Sequence, residues 1–148
     1  MWDSFKSLRL SIIVTRLFIA AIILLIFFLP YLAKIYLDAR EISHGFLYNF
    51  IMPFYACIIP AGIALFCLDR LLARIKKDEV FVQSNIQAIR IISWCCFAIS
   101  LITGGAAYFY PPYIFVTMIM FFCGVIVRVI KNVFTKAVFI KNENDYTI

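Results

Sequence analysis

Charged residues are missing from four long stretches of this chain and gathered between them, and that alternation defines the elements. The first apolar run extends from Ile12 to Tyr31, interrupted once by Arg16, and Leu17 to Ala33 carries no charge. The second, Phe46 to Leu68, holds 23 residues without a charge. A third occupies Ile91 to Tyr110, and a fourth begins at Tyr113, after the Pro111-Pro112 turn, and meets Arg128. About 20 helical residues, rising 1.5 Å each, cover a hydrocarbon core of roughly 30 Å. Backbone groups in lipid must find their hydrogen bonds inside the segment, so each span is a helix. The pattern predicts an all-α protein, an integral membrane bundle of four transmembrane helices forming one domain over residues 1–148. The spans are expected at about 12–33, 46–68, 91–110 and 113–130, with a polar loop at 69–90 and a tail at 131–148. The fourth run is short, so its helix is expected to continue through Arg128.

Interruptions within the runs refine this picture. Arg16 lies near one end of its span, where a long side chain snorkels to the headgroups. The first run exceeds the usual length of a signal-peptide core and no small-residue cleavage pattern follows Pro30, so it is read as a retained span. Pro60 removes a backbone donor and is expected to bend the second helix. Small residues at Ala20-Ala21, Ala61-Gly62, Gly104 to Ala107 and Gly124 supply places where helices approach closely.

Composition excludes a soluble domain: 65% of residues are hydrophobic and 15% charged, against roughly 45–50% apolar usage in soluble proteins. The net charge of +6 would suggest nucleic acid on a soluble basic face. Here it follows topology instead, because cytoplasmic loops retain Lys and Arg, and no direct nucleic-acid binding is expected. Of the 14 Lys and Arg residues, Lys6, Arg9, Arg16, Arg70, Arg74, Lys76, Lys77, Arg90, Arg128, Lys131, Lys136 and Lys141 fall on one side, leaving Lys34 and Arg40 on the other. Both termini and the central loop are therefore expected on the cytoplasmic side of the membrane. Tyr31, Tyr36, Tyr48, Tyr108, Tyr110 and Tyr113 gather toward the opposite boundary as an interfacial belt.

Candidate chemistry is sparse. Cys57, Cys67, Cys95, Cys96 and Cys123 lie in apolar runs without metal-site spacing and read as small hydrophobes. His44 stands alone in an outer loop. Ser100, Thr103 and Thr117 have no acid or base partner and are expected to bond back to their own helices. No catalytic residue, cofactor or metal site is expected. A transporter or channel subunit acting as an oligomer is the alternative, with Pro60 and Gly104-Gly105 as faint helix breaks.

The distinctive residues lie outside the spans. In VFVQSNIQAIRII, Ser84 and Gln87 have capping-box spacing for the start of the third helix. In VFTKAVFIKNENDYTI, Val133, Ala137 and Ile140 form one helical stripe that ends in an acidic and amidic cluster. The size, the four-span layout, the loop KKDEVFVQSNIQAIRII and the ending IKNENDYTI resemble the bacterial membrane family called domain of unknown function 2975, across essentially the whole chain. Phe81, Asn85, Ile89 and Arg90 fit its loop pattern. Lys141, Glu143, Asn144, Asp145, Thr147 and Ile148 fit its ending, with Tyr146 where leucine is common. The family carries no assigned activity. The resemblance implies a pairing with a small helix-turn-helix regulator of the Cro/repressor type. The combined expectation is a non-enzymatic protein in the lipid bilayer, with homo-oligomerisation left open. Its cytoplasmic docking surface for such a regulator would comprise Phe81, Asn85, Arg90, Lys141, Glu143, Asn144, Asp145 and Ile148.

Overall fold

A computed structural model describes residues 4–39, 46–77, 79–80 and 82–145. Four helices account for nearly all of them: α1 (Ser4–Ala39), α2 (Phe46–Ile75), α3 (Gln83–Ala106) and α4 (Tyr113–Asp145). Each is long and apolar enough to cross a membrane. The helices outrun the hydrophobic runs at one end of the bundle. α2 continues past Asp69 to Ile75, α3 starts at Gln83, and α4 runs unbroken to Asp145. The loop between α2 and α3 is therefore shorter than the polar stretch that contains it.

Among the described residues the helices pack in chain order, α1 on α2, α2 on α3 and α3 on α4. α3 is flanked on both sides and is the most covered of the four. The core accordingly concentrates on it, with Ile86, Ile89, Cys95, Ile99 and Ala106 buried. Most other large apolar side chains stay exposed on the protein, such as Phe27 at 74% and Leu101 at 79%. Lipid tails solvate such surface, so a membrane bundle need not bury it.

Side-chain contacts mark the two ends of the bundle. Arg16 Nε of α1 lies 3.4 Å from Asp69 Oδ1 of α2, and Arg70 lies over the Phe66 ring. The snorkelling Arg16 thus has a partner. At the other end the Tyr36 and Tyr110 hydroxyls are 3.2 Å apart, and the Tyr113 ring packs edge-on against Tyr110 and Phe54. Twenty residues separate Arg16 from Tyr36, which is about 30 Å of helix and matches a hydrocarbon core.

Proline positions are absorbed within helices: Pro30 in α1, and Pro53 and Pro60 in α2. The Pro111-Pro112 turn forms as expected, with Tyr113 N–H donating to the Tyr110 carbonyl at 3.1 Å as α4 begins. The small residues divide into two groups. A Cβ on Gly124 would meet the Phe97 ring at 3.0 Å and one on Gly104 would touch Thr117, whereas Gly62 and Gly105 face open space. Only the first two mark close helix approach.

Candidate functional site

The start of α3 is held by Asn85. Its side chain has no exposed surface, and Nδ2 donates to the Glu79 carbonyl at 2.7 Å and the Val80 carbonyl at 2.9 Å. Two carbonyl acceptors on one side fix the orientation of the amide, since only its nitrogen can donate to both. Oδ1 is buried without a partner. The expected Ser84–Gln87 capping box does not form: Val82 occupies the N-cap position without a side-chain bond. Val82 has no side-chain acceptor to offer, so the Asn85 side chain reaches back from the first turn and ties the loop instead.

The α3–α4 seam is fastened by hydroxyls. Ser93 Oγ donates to the Gly124 carbonyl at 3.0 Å, and Ser100 Oγ to the Thr117 carbonyl at 3.1 Å. Thr103 and Thr117 hydroxyls meet at 2.9 Å. The back-bonding expected of these residues holds for Thr103, which reaches Ile99, and for Thr117, which reaches Tyr113. It fails for Ser100, whose acceptor is on the next helix. Sequence reading passed over Ser93 altogether. The available signal was spacing, because Ser93 and Ser100 are one heptad apart and so are their partners Thr117 and Gly124.

That spacing also sets the register. Seven residues along α3 correspond to seven back along α4, so Arg90, three residues before Ser93, lies level with Val127 and Arg128. Arg90, Ser93, Trp94, Arg128 and Lys131 line a cavity of about 260 Å³ at this level, with the Arg128 guanidinium 5.4 Å from the Trp94 ring centre.

Past Arg128, α4 continues for 17 residues to Asp145. Val138 is buried, while Val133, Phe139 and Ile140 are exposed. The Val133–Ala137–Ile140 stripe is thus largely uncovered.

Of the residues expected to form one docking surface, Asn85, Arg90, Lys141 and Glu143 have described side chains. Arg90 is exposed in the boundary cavity. Lys141 lies 13 residues beyond Arg128 along α4, about 20 Å away, and is exposed together with Glu143. Asn85 is buried in the bundle. Phe81 and Ile148 lie outside the described residues, as do His44 and the side chains of Asn144 and Asp145. The five cysteines are free thiols, with Cys95 buried.

Residues 32–148 match the model of a protein family described as "Protein of unknown function (DUF2975)". The chain belongs to this family. A DUF2975 assignment agrees with four spanning helices and with the loop and ending patterns read from the sequence. The chain is also 29% identical over 107 residues to an uncharacterized membrane protein, YoaS, of Bacillus subtilis (strain 168), a match covering 64% of this chain and 67% of the relative. No solved structure matches it. The DUF2975 chain is thus a multi-pass membrane protein of bacterial type.

Proposed function

We propose that this protein is a membrane-anchored docking platform whose α4 arm, residues 133–145, projects into the cytoplasm and binds a basic protein partner, in the leading case a helix-turn-helix transcription regulator. One observation carries the reading: α4 passes the boundary level and keeps a largely uncovered apolar stripe as far as Ile140. An arm of this kind could instead lie along the headgroups. Helices turn sharply at Pro, Gly or an inserted group, and neither Pro nor Gly occurs between Val125 and Asp145. The arm therefore keeps the direction of the span and leads away from the bilayer. Val133 and Ile140 offer an apolar anchor of the helix-in-groove kind. Glu143 and Asp145 offer charge complementary to a DNA-binding surface.

Asn85 contributes by fixing the loop beside the arm, while Phe81 and the final residues through Ile148 complete the proposed contact. Transport requires polar groups around a wet path, whereas Ser93, Ser100, Thr103 and Thr117 are engaged in the α3–α4 seam. That favours docking. The test is co-expression with a helix-turn-helix regulator from the gene's own neighbourhood, followed by pull-down from membranes. Val133→Gln with Ile140→Gln, or deletion of Lys141 to Ile148, should leave insertion intact and abolish capture. Equal recovery with and without these changes, or recovery of no regulator, overturns the proposal.

A further inference from the structure

The boundary cavity between α3 and α4 brings together three cations. Arg90 and Arg128 are level by the seam register, and Lys131 lines the same cavity one turn farther along α4. No carboxylate forms an ion pair with any of the three among the described residues. Another basic cavity on this face, lined by Arg16, Lys76 and Lys77, includes the carboxylate of Asp69, whereas the cavity of Arg90, Arg128 and Lys131 has no acidic residue in its lining. Like charges facing each other repel, and an anion seated between them removes that cost.

Two features indicate where the anion comes from. The cavity opens at the level where the spans meet the headgroups. Trp94, at its rim, is 58% exposed, as befits an interfacial indole. From Trp94 an aromatic row descends toward the bilayer interior, Trp94 to Phe97 at 6.3 Å and Phe97 to Phe121 at 5.5 Å, each edge-on. Phe121 is itself 56% exposed. A phosphate in the cavity would thus have an apolar track beneath it for an acyl chain. At about 260 Å³ the cavity is below the roughly 300–1,000 Å³ of sites for whole small molecules, and one phosphodiester headgroup suits it better.

We infer that Arg90, Arg128 and Lys131 form a binding site for the phosphate headgroup of an anionic phospholipid, with its acyl chain lying along Trp94, Phe97 and Phe121. Arg128 and Arg90 present planar forks suited to phosphate oxygens. Lys131 adds a point charge. This site is separate from the arm and stands whether or not the arm docks a regulator.

The full chain, carrying Trp2→Phe so that Trp94 is the remaining indole, is reconstituted in phosphatidylcholine nanodiscs. Phosphatidylglycerol with brominated acyl chains, or brominated phosphatidylcholine, is then titrated in, and quenching of Trp94 is read. A basic residue at the surface favours anionic lipid by about fivefold, so brominated phosphatidylglycerol should quench at a mole fraction at least about tenfold lower than brominated phosphatidylcholine. Arg128→Gln with Lys131→Gln should abolish that preference, and Lys76→Gln with Lys77→Gln, an equal loss of charge elsewhere on the same face, should leave it. Inorganic phosphate should not relieve the quenching. The proposal is overturned if the two lipids quench alike, if both double variants lose the preference equally, or if inorganic phosphate displaces the lipid, which would make the site one for a soluble anion. Unchanged helical signal and melting in the Arg128 variant keeps its loss of preference from being misfolding.

Discussion

Placing leucine at Gly124 should weaken the α3–α4 seam more than the same change at any other described glycine within the spans. The first added atom, Cβ, already meets Phe97 Cε1 at 3.0 Å and its Cδ1 and Cζ at 3.2 Å, where ordinary contact is 3.4–4 Å. Phe97 cannot retreat freely, because its ring is packed edge-on between Trp94 and Phe121. Forcing extra methylenes into such a contact costs about 1–3 kcal/mol. Separating the helices also stretches the Ser93–Gly124 hydrogen bond of 3.0 Å, and bonds of this kind between membrane helices average about 0.6 kcal/mol. The expected loss is about 2–4 kcal/mol. It is read from reversible unfolding in mixed detergent micelles, followed by helical signal and Trp94 fluorescence. Gly62→Leu and Gly105→Leu meet open space and should fall within about 0.5 kcal/mol of the parent. If all three variants unfold alike, close approach at Gly124 is not what holds α3 to α4.

Two further outcomes are expected. A cytoplasm-active fluorescent reporter at either terminus and an export-dependent phosphatase near Gly45 should all give signal, and a dark terminal reporter would reverse the orientation inferred from the basic residues. Asn85→Ala removes both bonds to the Glu79 and Val80 carbonyls, costing about 1–3 kcal/mol; hydrogen exchange should quicken at the first turn of α3, and unchanged protection there would remove the clamp role from Asn85.

The spans were readable in the sequence because a charge in hydrocarbon is costly enough to leave gaps that composition alone displays. The arm was readable too, since Val133, Ala137 and Ile140 keep helical spacing past the boundary. Other features depend on distances that spacing does not carry. Ser84 had the right neighbour for a capping box, yet the loop carbonyls fold back to Asn85 instead. Ser100 was expected to bond within its own helix, yet its hydroxyl donates across the seam to the Thr117 carbonyl. Arg90 and Arg128 are far apart in the chain and level in space only because two serines set the α3–α4 register. Arg90 and Lys141, both chosen for docking, lie at different heights because α4 runs 13 residues from Arg128 to Lys141.

The packing order of the helices bears on how the chain enters a bilayer during synthesis. α1 emerges first and has the most apolar stretch of the four, whereas α3 has the least apolar and is the most covered in the finished protein. α1 can therefore partition into lipid unaided. α3 leaves the ribosome before α4, with Ser93 and Ser100 still lacking their acceptors across the seam. Its stay in the membrane is a holding state that the next helix ends. The short turn between Ala106 and Tyr113 makes that wait brief, so α3 and α4 are expected to enter as a hairpin. A nascent chain arrested before Tyr113 would expose α3 to the quality-control proteases that survey half-made membrane proteins.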